Sequence, residues 1–454
     1  MQADSIGRDL RDSYVDLGVL VQIQNSRDQI IFGRRGAGKT HLLLQLEDHA
    51  VRENSILSYV DCRRLASGIF EAALPVEKQA EKFFRSLLAK IHSFILEELT
   101  RLEAISEPNR GKAFDHLNRM VNAIGQNSFT EYCYALEDCL RAVGKKHLFL
   151  VIDEWVAIPQ EVQPFVSSLM KKIFSPSEMV VLKIGAIAFQ SQLGKPLSGG
   201  GMLGLEIGSD IFVGIDLDEY LVYDQDSAGV RAAFGKILYR HLATRLILPG
   251  QANPVAWCIE TFFTGQSAFD ELIRACEGVP RDFLMIFGQS YFAALPSAEK
   301  ISVPLIRKAA HAYFLREKYK NIEGDPSLDR FLSAVIDKAI GGKKARAFMI
   351  ENRLASHSII RRLFDHRLIH LLKRGYSDGK SPGVRYQMFS VDYGTYVDFI
   401  NTAKEPQIEF LFMGAGQSVD DDEIVPFNDM RKIRYIKLDD TFFGEYAPPA
   451  LPGT

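Results

Sequence analysis

The chain has 454 residues, 47% of them hydrophobic, with a formal net charge of -3 and a pI near 6.4. That length supports about two or three hydrophobic cores, and the near-neutral balance excludes attachment to nucleic acid or membrane through global charge, so any basic surface must be local. No apolar run approaches the ~20 residues needed to cross a bilayer, Met1–Ser5 opens no apolar signal region, and Cys62, Cys133, Cys139, Cys258 and Cys276 show neither C-x-x-C pairing nor metal spacing; a cytoplasmic, reducing setting without membrane contact is expected.

The first predicted element is a short buried strand, Gln29-Ile30-Ile31-Phe32. It runs into Gly33-Arg34-Arg35-Gly36-Ala37-Gly38-Lys39-Thr40, and His41–Glu47 then takes up a helical pattern. Gly-x4-Gly-Lys-Thr between a strand and a helix is a phosphate-binding loop. The glycines let the backbone curl so that its N–H groups face phosphate oxygens. Lys39 is placed to reach the outer phosphates of ATP, and the Thr40 hydroxyl to ligate Mg2+. The nucleotide-binding set expected from the sequence is Gly33, Arg34, Arg35, Gly36, Ala37, Gly38, Lys39, Thr40, His41 and Asp153.

Ser55–Asp61 is the second predicted strand. A long helical stretch follows, from about residue 75 to 143, in which Phe83, Leu87, Leu88, Ile91 and Ile95 recur at helical spacing and predict a packing face. His147-Leu-Phe-Leu-Val-Ile-Asp153-Glu154 then reads as a fully buried parallel strand delivering two acids to the C-terminal edge of a sheet, where ligands of open α/β sheets bind. Asp153 is expected to hold Mg2+ directly or through water, and Glu154 to orient and deprotonate an attacking water. Met179–Ala186 and Asp210–Ile215 supply the remaining strands, and the helices between them predict a parallel sheet. Ser198-Gly-Gly-Gly201, between those last two strands, predicts a mobile loop.

From about 226 to 320 the apolar spacing is helical and suits a small lid. Gly324-Asp325-Pro326 is a break, and 324–402 reads as a winged helix-turn-helix. Its expected helices are Leu328–Ala339, Lys344–Ile350 and a recognition helix His357–His366. Its expected wing strands are Leu368–Leu372 and Tyr386–Val391, with the turn at Asp378–Gly383. Between Gly341 and Arg374 nine Lys or Arg stand against two acids, a local excess of +7. A basic stripe on such a module fits phosphate contacts along double-stranded DNA, with Lys343, Lys344, Arg346, Arg361, Arg362, Arg367 and Lys380 as the expected contacts. The last stretch, 403–454, reads as a β-rich extension with strands near Ile408–Met413 and Lys432–Leu438, an acidic run Asp420–Glu423 and a disordered Pro-rich end. The acidic run is expected to be a solvated loop; a sharper reading docks it on the basic stripe, so that deleting 403–454 raises DNA affinity.

Gly33–Thr40, Asp153-Glu154 after an apolar strand, and Gly278-Val279-Pro280-Arg281 together resemble the AAA+ ATPases, particularly the initiator (origin-recognition-like) clade and related signalling ATPases of the STAND type. The resemblance implies an α/β, P-loop NTPase parallel sheet over residues 1–222, a helical lid over 223–323 and a C-terminal winged helix. It implies that Arg281, at the start of a lid helix, reaches the γ-phosphate beside the catalytic Lys39 and Glu154, and that the chain works as a homo-oligomer or with a partner protein. The chain departs from the family pattern in two ways. No Asn or Thr stands late in the fourth strand, leaving Gln190 or Ser191 as the first sensor, and no Arg occurs between 173 and 230, where a finger acting on a neighbouring subunit often lies. A slowly hydrolysing ATP switch with DNA as its output is the expected function, in replication, transposition or defence against foreign DNA; a switch whose winged helix binds a protein is the alternative.

Overall fold

The computed structural model describes residues 11–71, 73–101, 106–223, 226–244, 246, 253–343, 345–377, 383–402, 424–426 and 432–447. Contacts divide the chain into two units, Met1–Arg34 with Gly38–Leu217, and Arg35–Ala37 with Asp218–Thr454.

The first unit is an α/β layer built on a five-stranded parallel sheet. Its strands are β1 (Gln29–Phe32), β2 (Ile56–Asp61), β3 (Leu148–Asp153), β4 (Val180–Ala186) and, after a hairpin of β5 (Gly194–Pro196) and β6 (Met202–Gly204), β7 (Phe212–Asp216). The order is β2-β3-β4-β1-β7, with each neighbouring pair parallel. β3 is an interior strand, buried along its whole length, as its unbroken apolar run demands. The chain leaves β1 through the loop into α1 (Lys39–Leu44) and α2 (Leu46–Arg52), and leaves β2 into α3 (Cys62–Ala66).

Between β2 and β3 lie α4 (Val76–Arg101), α5 (Glu107–Gly125) and α6 (Phe129–Ala142); α7 (Gln163–Phe174) joins β3 to β4. The predicted Phe83, Leu87, Leu88, Ile91, Ile95 stripe of α4 is buried in one cluster with Leu150, Ile152 and Leu182 of the sheet. Each such side chain stabilises the fold by about 1.5–3 kcal/mol. The glycine-rich stretch forms the turn of the β5–β6 hairpin. The hairpin is pinned to α7: Ser167 Oγ donates to the Leu193 carbonyl (2.5 Å) and the Gln192 N–H to Gln163 Oε1 (2.6 Å). Gly204, at φ +96°, lies so close to the Leu193 carbonyl that a Cβ would sit 2.2 Å from it, so the glycine serves tight packing here.

The second unit begins, among the described residues, with the helices α8 (Ser227–Ala243), α9 (Pro254–Phe262), α10 (Gln266–Ala275), α11 (Pro280–Ala294) and α12 (Val303–Tyr313). α13 (Pro326–Ile336) starts where the sequence breaks: Asp325 caps the N–H groups of Ser327 and Leu328, and Pro326 fills the first turn. Then come β8 (Ala347–Glu351), α14 (Asn352–Ala355), α15 (Ser358–Asp365), β9 (Ile369–Ser377), β10 (Arg385–Val391) and α16 (Tyr393–Thr402). After β11 (Ile424–Pro426) and β12 (Lys432–Lys437), the described residues end in α17 (Asp440–Tyr446). The sheet order is β11-β12-β8-β10-β9.

One expected element changes type. Lys344–Ile350, read as the second helix, contributes Ala347–Ile350 to strand β8, because this apolar run is buried between β10 and β12. A short apolar run does not distinguish a buried strand from a buried helix; its neighbours do. The predicted strand at Ile408–Met413, the acidic run Asp420–Glu423 and most of the turn at Asp378–Gly383 lie outside the described residues.

Candidate functional site

The loop's curl is set by its glycines. Gly36 (φ +90°) and Gly38 (φ +99°) occupy the left-handed region, which L side chains rarely adopt. Gly38 is the N-cap of α1, so the loop passes directly into the positive end of a helix. Lys39 is buried, and its Nζ donates to the Gly33 carbonyl at 2.5 Å and to that of Arg34 at 3.4 Å. The side chain therefore lies along the loop, where an ammonium meets phosphate oxygens. Arg34 is buried and Arg35 exposed. His41, on the first turn of α1, contacts the Ser13 hydroxyl at 3.3 Å.

The structure brings Thr40 and Asp153, 113 positions apart, into direct contact: Thr40 Oγ1 donates to Asp153 Oδ2 at 2.6 Å. Asp153 is fully buried at the C-terminal end of β3. Its Oδ1 accepts the Glu154 N–H at 2.8 Å, and its Oδ2 also accepts from Tyr59 OH at 2.9 Å. On the β4 side stands Gly185, where a Cβ would come within 2.5 Å of Asp153 Oδ1. Burial, followed by the neighbouring Asp153 charge, pushes the Tyr59 phenol well above its ordinary range, so it remains an O–H donor.

Glu154 turns the chain sharply, at φ +55°, a conformation that costs a non-glycine residue free energy and is held only by its surroundings. Its Oε1 lies 3.7 Å from the Arg63 guanidinium. Arg63 is placed by Asp61, the N-cap of α3, whose carboxylate takes the Arg63 N–H at 2.9 Å and its Nε at 3.2 Å. The hydrogen bond to Asp61 comes first among the effects holding Arg63 protonated, and the nearby Glu154 charge adds to it.

Lys39, Thr40, Asp153 and Glu154 thus converge at one edge of the sheet. Their donor set is that of a hard-cation site: a hydroxyl and a carboxylate beside a phosphate cradle, so the residues present fit Mg2+. Sequence reasoning missed Tyr59, Arg63 and Gly185. Tyr59 and Arg63 sit on or just beyond β2, with nothing in their local pattern to mark them; only the β2–β3 pairing, Asp61 opposite Asp153, gives them a role. Of the expected first sensors, the Ser191 hydroxyl accepts the Ile187 N–H of its own loop (3.2 Å).

In the second unit, Val279 caps α11, Pro280 fills its first turn and Arg281 follows, exposed. The expected DNA contacts divide. Arg346 is buried and lies 3.6 Å from Glu277, and Arg367 pairs with the buried Asp282, so both guanidinium groups face acids of their own unit. Arg346 immediately precedes β8, and the partly buried Arg367 turns from α15 into β9. Arg361 is half-buried, and exposed Arg362 pairs with Asp325 at 2.5 Å. Lys343 is exposed; Lys344 and Lys380 lie outside the described residues. Arg353 and Arg374, also within the basic stretch, pair with Asp440 (2.5 Å) and Glu219 (2.7 Å).

No protein-family model matches the chain, and no curated protein matches it. Among solved structures, it is similar to a chain from a Drosophila ORC structure bound to DNA, at 12% identity and TM-score 0.32, over 87% of this chain and 90% of that one. It is also similar to C. elegans PCH-2, at 14% identity and TM-score 0.31, over 69% of this chain and 68% of that one.

Proposed function

We propose that the chain is an AAA+-type ATPase that binds ATP and Mg2+ on the Gly33–Thr40 loop and uses nucleotide state as a switch. The observation that carries this reading is the Thr40–Asp153 hydrogen bond beneath the phosphate loop, with Glu154 next in sequence. Thr40 and Asp153 would hold Mg2+, which supplies charge neutralisation to the phosphates when bound. Lys39 binds the outer phosphates, and Glu154 takes the proton of the attacking water. Arg63, close to Glu154, competes for that carboxylate and favours slow turnover. Arg281 adds a guanidinium from the lid. Calorimetry should show ATP binding lost or sharply weakened in Lys39→Ala, while Glu154→Gln binds ATP but hydrolyses it about 100-fold or more slowly. Equal hydrolysis by parent and Glu154→Gln would remove Glu154 as the base.

For the output, we propose that α13, β8, α14, α15, β9 and β10 act as a winged helix contacting duplex DNA through Arg361, Arg362 and Lys343, with Lys344 and Lys380 beside them. Surface ion pairs contribute only about 0–1 kcal/mol, so phosphates can displace Asp325 from Arg362. A protein-binding output is the second reading, favoured because among the described basic residues of 341–374 Arg346, Arg353, Arg362, Arg367 and Arg374 have acidic partners. A salt titration separates the two. Each phosphate contact on a duplex adds about 0.9 to the slope of log affinity against log salt, and Arg361→Ala with Arg362→Ala should lower that slope by about 2. No duplex binding at low salt would leave the protein reading.

A further inference from the structure

We propose that Tyr59 is a positioning residue for the divalent cation, holding the Asp153 carboxylate in the orientation that lets Thr40 face the metal; this rests on reading the loop as an ATP–Mg2+ site. In the β2–β3 register Tyr59 stands opposite Val151 and Asp61 opposite Asp153. Tyr59 and Asp153 therefore share a face of the sheet, two residues apart along the strands, a rise of about 6.6 Å. The phenol spans that distance, and its hydroxyl meets Asp153 Oδ2 at 2.9 Å.

A buried carboxylate needs donors, and Asp153 has three. Two of them, the hydroxyls of Thr40 and Tyr59, converge on Oδ2; the third, the Glu154 N–H, is on Oδ1. Thr40 Oγ1 donates its O–H to Asp153 Oδ2 and so keeps its lone pairs turned away from the carboxylate, towards a cation. That bond survives if the carboxylate cannot rotate, and Tyr59 supplies the second point of attachment on Oδ2. The other flank offers no substitute, because Gly185 of β4 carries no side chain and any Cβ there would collide with Asp153 Oδ1. The polar group that fixes this carboxylate thus comes from β2. Tyr59 reaches the metal only through Asp153, so its role is positional.

The test is Tyr59→Phe, which keeps the ring and removes one oxygen, in the full-length chain. ATP affinity is measured by calorimetry in Mg2+ and in excess EDTA, with a thermal melt as the folding check. Outer-sphere partners of metal ligands are worth about 10- to 100-fold in metal affinity. Tyr59→Phe should therefore keep its EDTA affinity and lose about tenfold of the gain that Mg2+ confers. Adding it to Asp153→Asn should change nothing further, because the two act as one unit. Placing p-aminophenylalanine at position 59, an N–H donor of similar reach, should restore the gain, and it also serves if Tyr59→Phe melts early. A full Mg2+ gain in Tyr59→Phe, equal losses with and without Mg2+, or a well-folded p-aminophenylalanine chain without the gain would overturn the proposal alone. A parent chain that binds no ATP would overturn the reading of the loop, and this proposal with it.

Discussion

At the residue scale, two buried charged groups in the first unit have opposite settings. Asp153 is surrounded by donors and serves the loop end of the sheet. Lys183, on β4 and fully buried, serves the other end, where its Nζ meets Gln29 Oε1 at 2.5 Å, the Arg27 carbonyl at 2.9 Å and Asn25 Oδ1 at 3.3 Å. Burial pushes the Lys183 pKa down to about 7, against the upward pull of Asp28. In the unfolded chain it stays protonated to about pH 10.4. Between those values the unfolded state binds more protons, so stability should rise with pH from 7 towards 10, by at most about 1.4 kcal/mol per unit, and be lost again as pH falls towards 7. Urea midpoints followed through buried Trp155, with Trp257 replaced by Phe, should show this slope in the parent, and Lys183→Met should flatten it. Nothing in the sequence marks Lys183 as buried except its place in an otherwise apolar strand, where a solvated edge would be the ordinary expectation.

At the element scale, the second unit is tied together by charges rather than by apolar contact alone. Asp282, one residue beyond Arg281 on α11, pairs with Lys318 at 2.9 Å, with Arg367, and with Tyr313 OH at 3.0 Å. Lys318 continues to Asp392 at 2.5 Å, which also takes His370 Nε2 at 2.7 Å. Asp282, Lys318, His370 and Asp392 are buried, so the lid helices and the β9–β10 strands share one dry ionic network. Lys318 and the His370 hydrogen bond outweigh burial and hold the Asp392 carboxyl down at about 2. Removing one member of a buried pair strands its partner, at a cost of about 3–5 kcal/mol. Lys318→Met should destabilise the second unit by that amount, measured by urea unfolding on Trp257 with Trp155 replaced by Phe; a change below 1 kcal/mol would mean that solvent reaches the network. The helical character of residues 227–313 and the Pro-Arg helix start at Pro280 were legible from spacing and turn chemistry. The network was not, because its members come from four separate segments, around residues 282, 313–318, 367–370 and 392.

At the scale of the whole molecule, the C-terminal segment is structural. β12 pairs in parallel with β8 through Tyr435, Ile436 and Lys437. α17 covers α13, with Phe442 and Phe443 at 5.3 and 5.2 Å from Phe331, while Phe443 also packs on His357, the N-cap of α15. Deleting residues 403–454 removes strands β11 and β12 and helix α17 from the second unit. Loss of buried Tyr435, Ile436, Leu438, Phe442 and Phe443 should cost on the order of 5 kcal/mol or more. Truncation at residue 431 should therefore lower the melting temperature and open the second unit to limited proteolysis, whereas an inhibitory tail would leave the melt unchanged.

What the sequence determined by itself is local: a phosphate loop needs consecutive residues between a strand and a helix, a buried strand declares itself by an unbroken apolar run, and Asp325-Pro326 supplies a helix cap and a first-turn proline side by side. These signals are carried by neighbours in the chain, and the parallel sheet with its Lys39, Thr40 and Asp153-Glu154 edge follows from them. Tertiary structure alone decided the rest. Ala347–Ile350 became a strand because two other strands flank it, Arg346 and Arg367 turned inward because Glu277 and Asp282 face them, and Tyr59 reached Asp153 because β2 lies beside β3. Each depends on which distant segments meet, and hydrophobic periodicity, which records only how much of a side chain is buried, does not record against what.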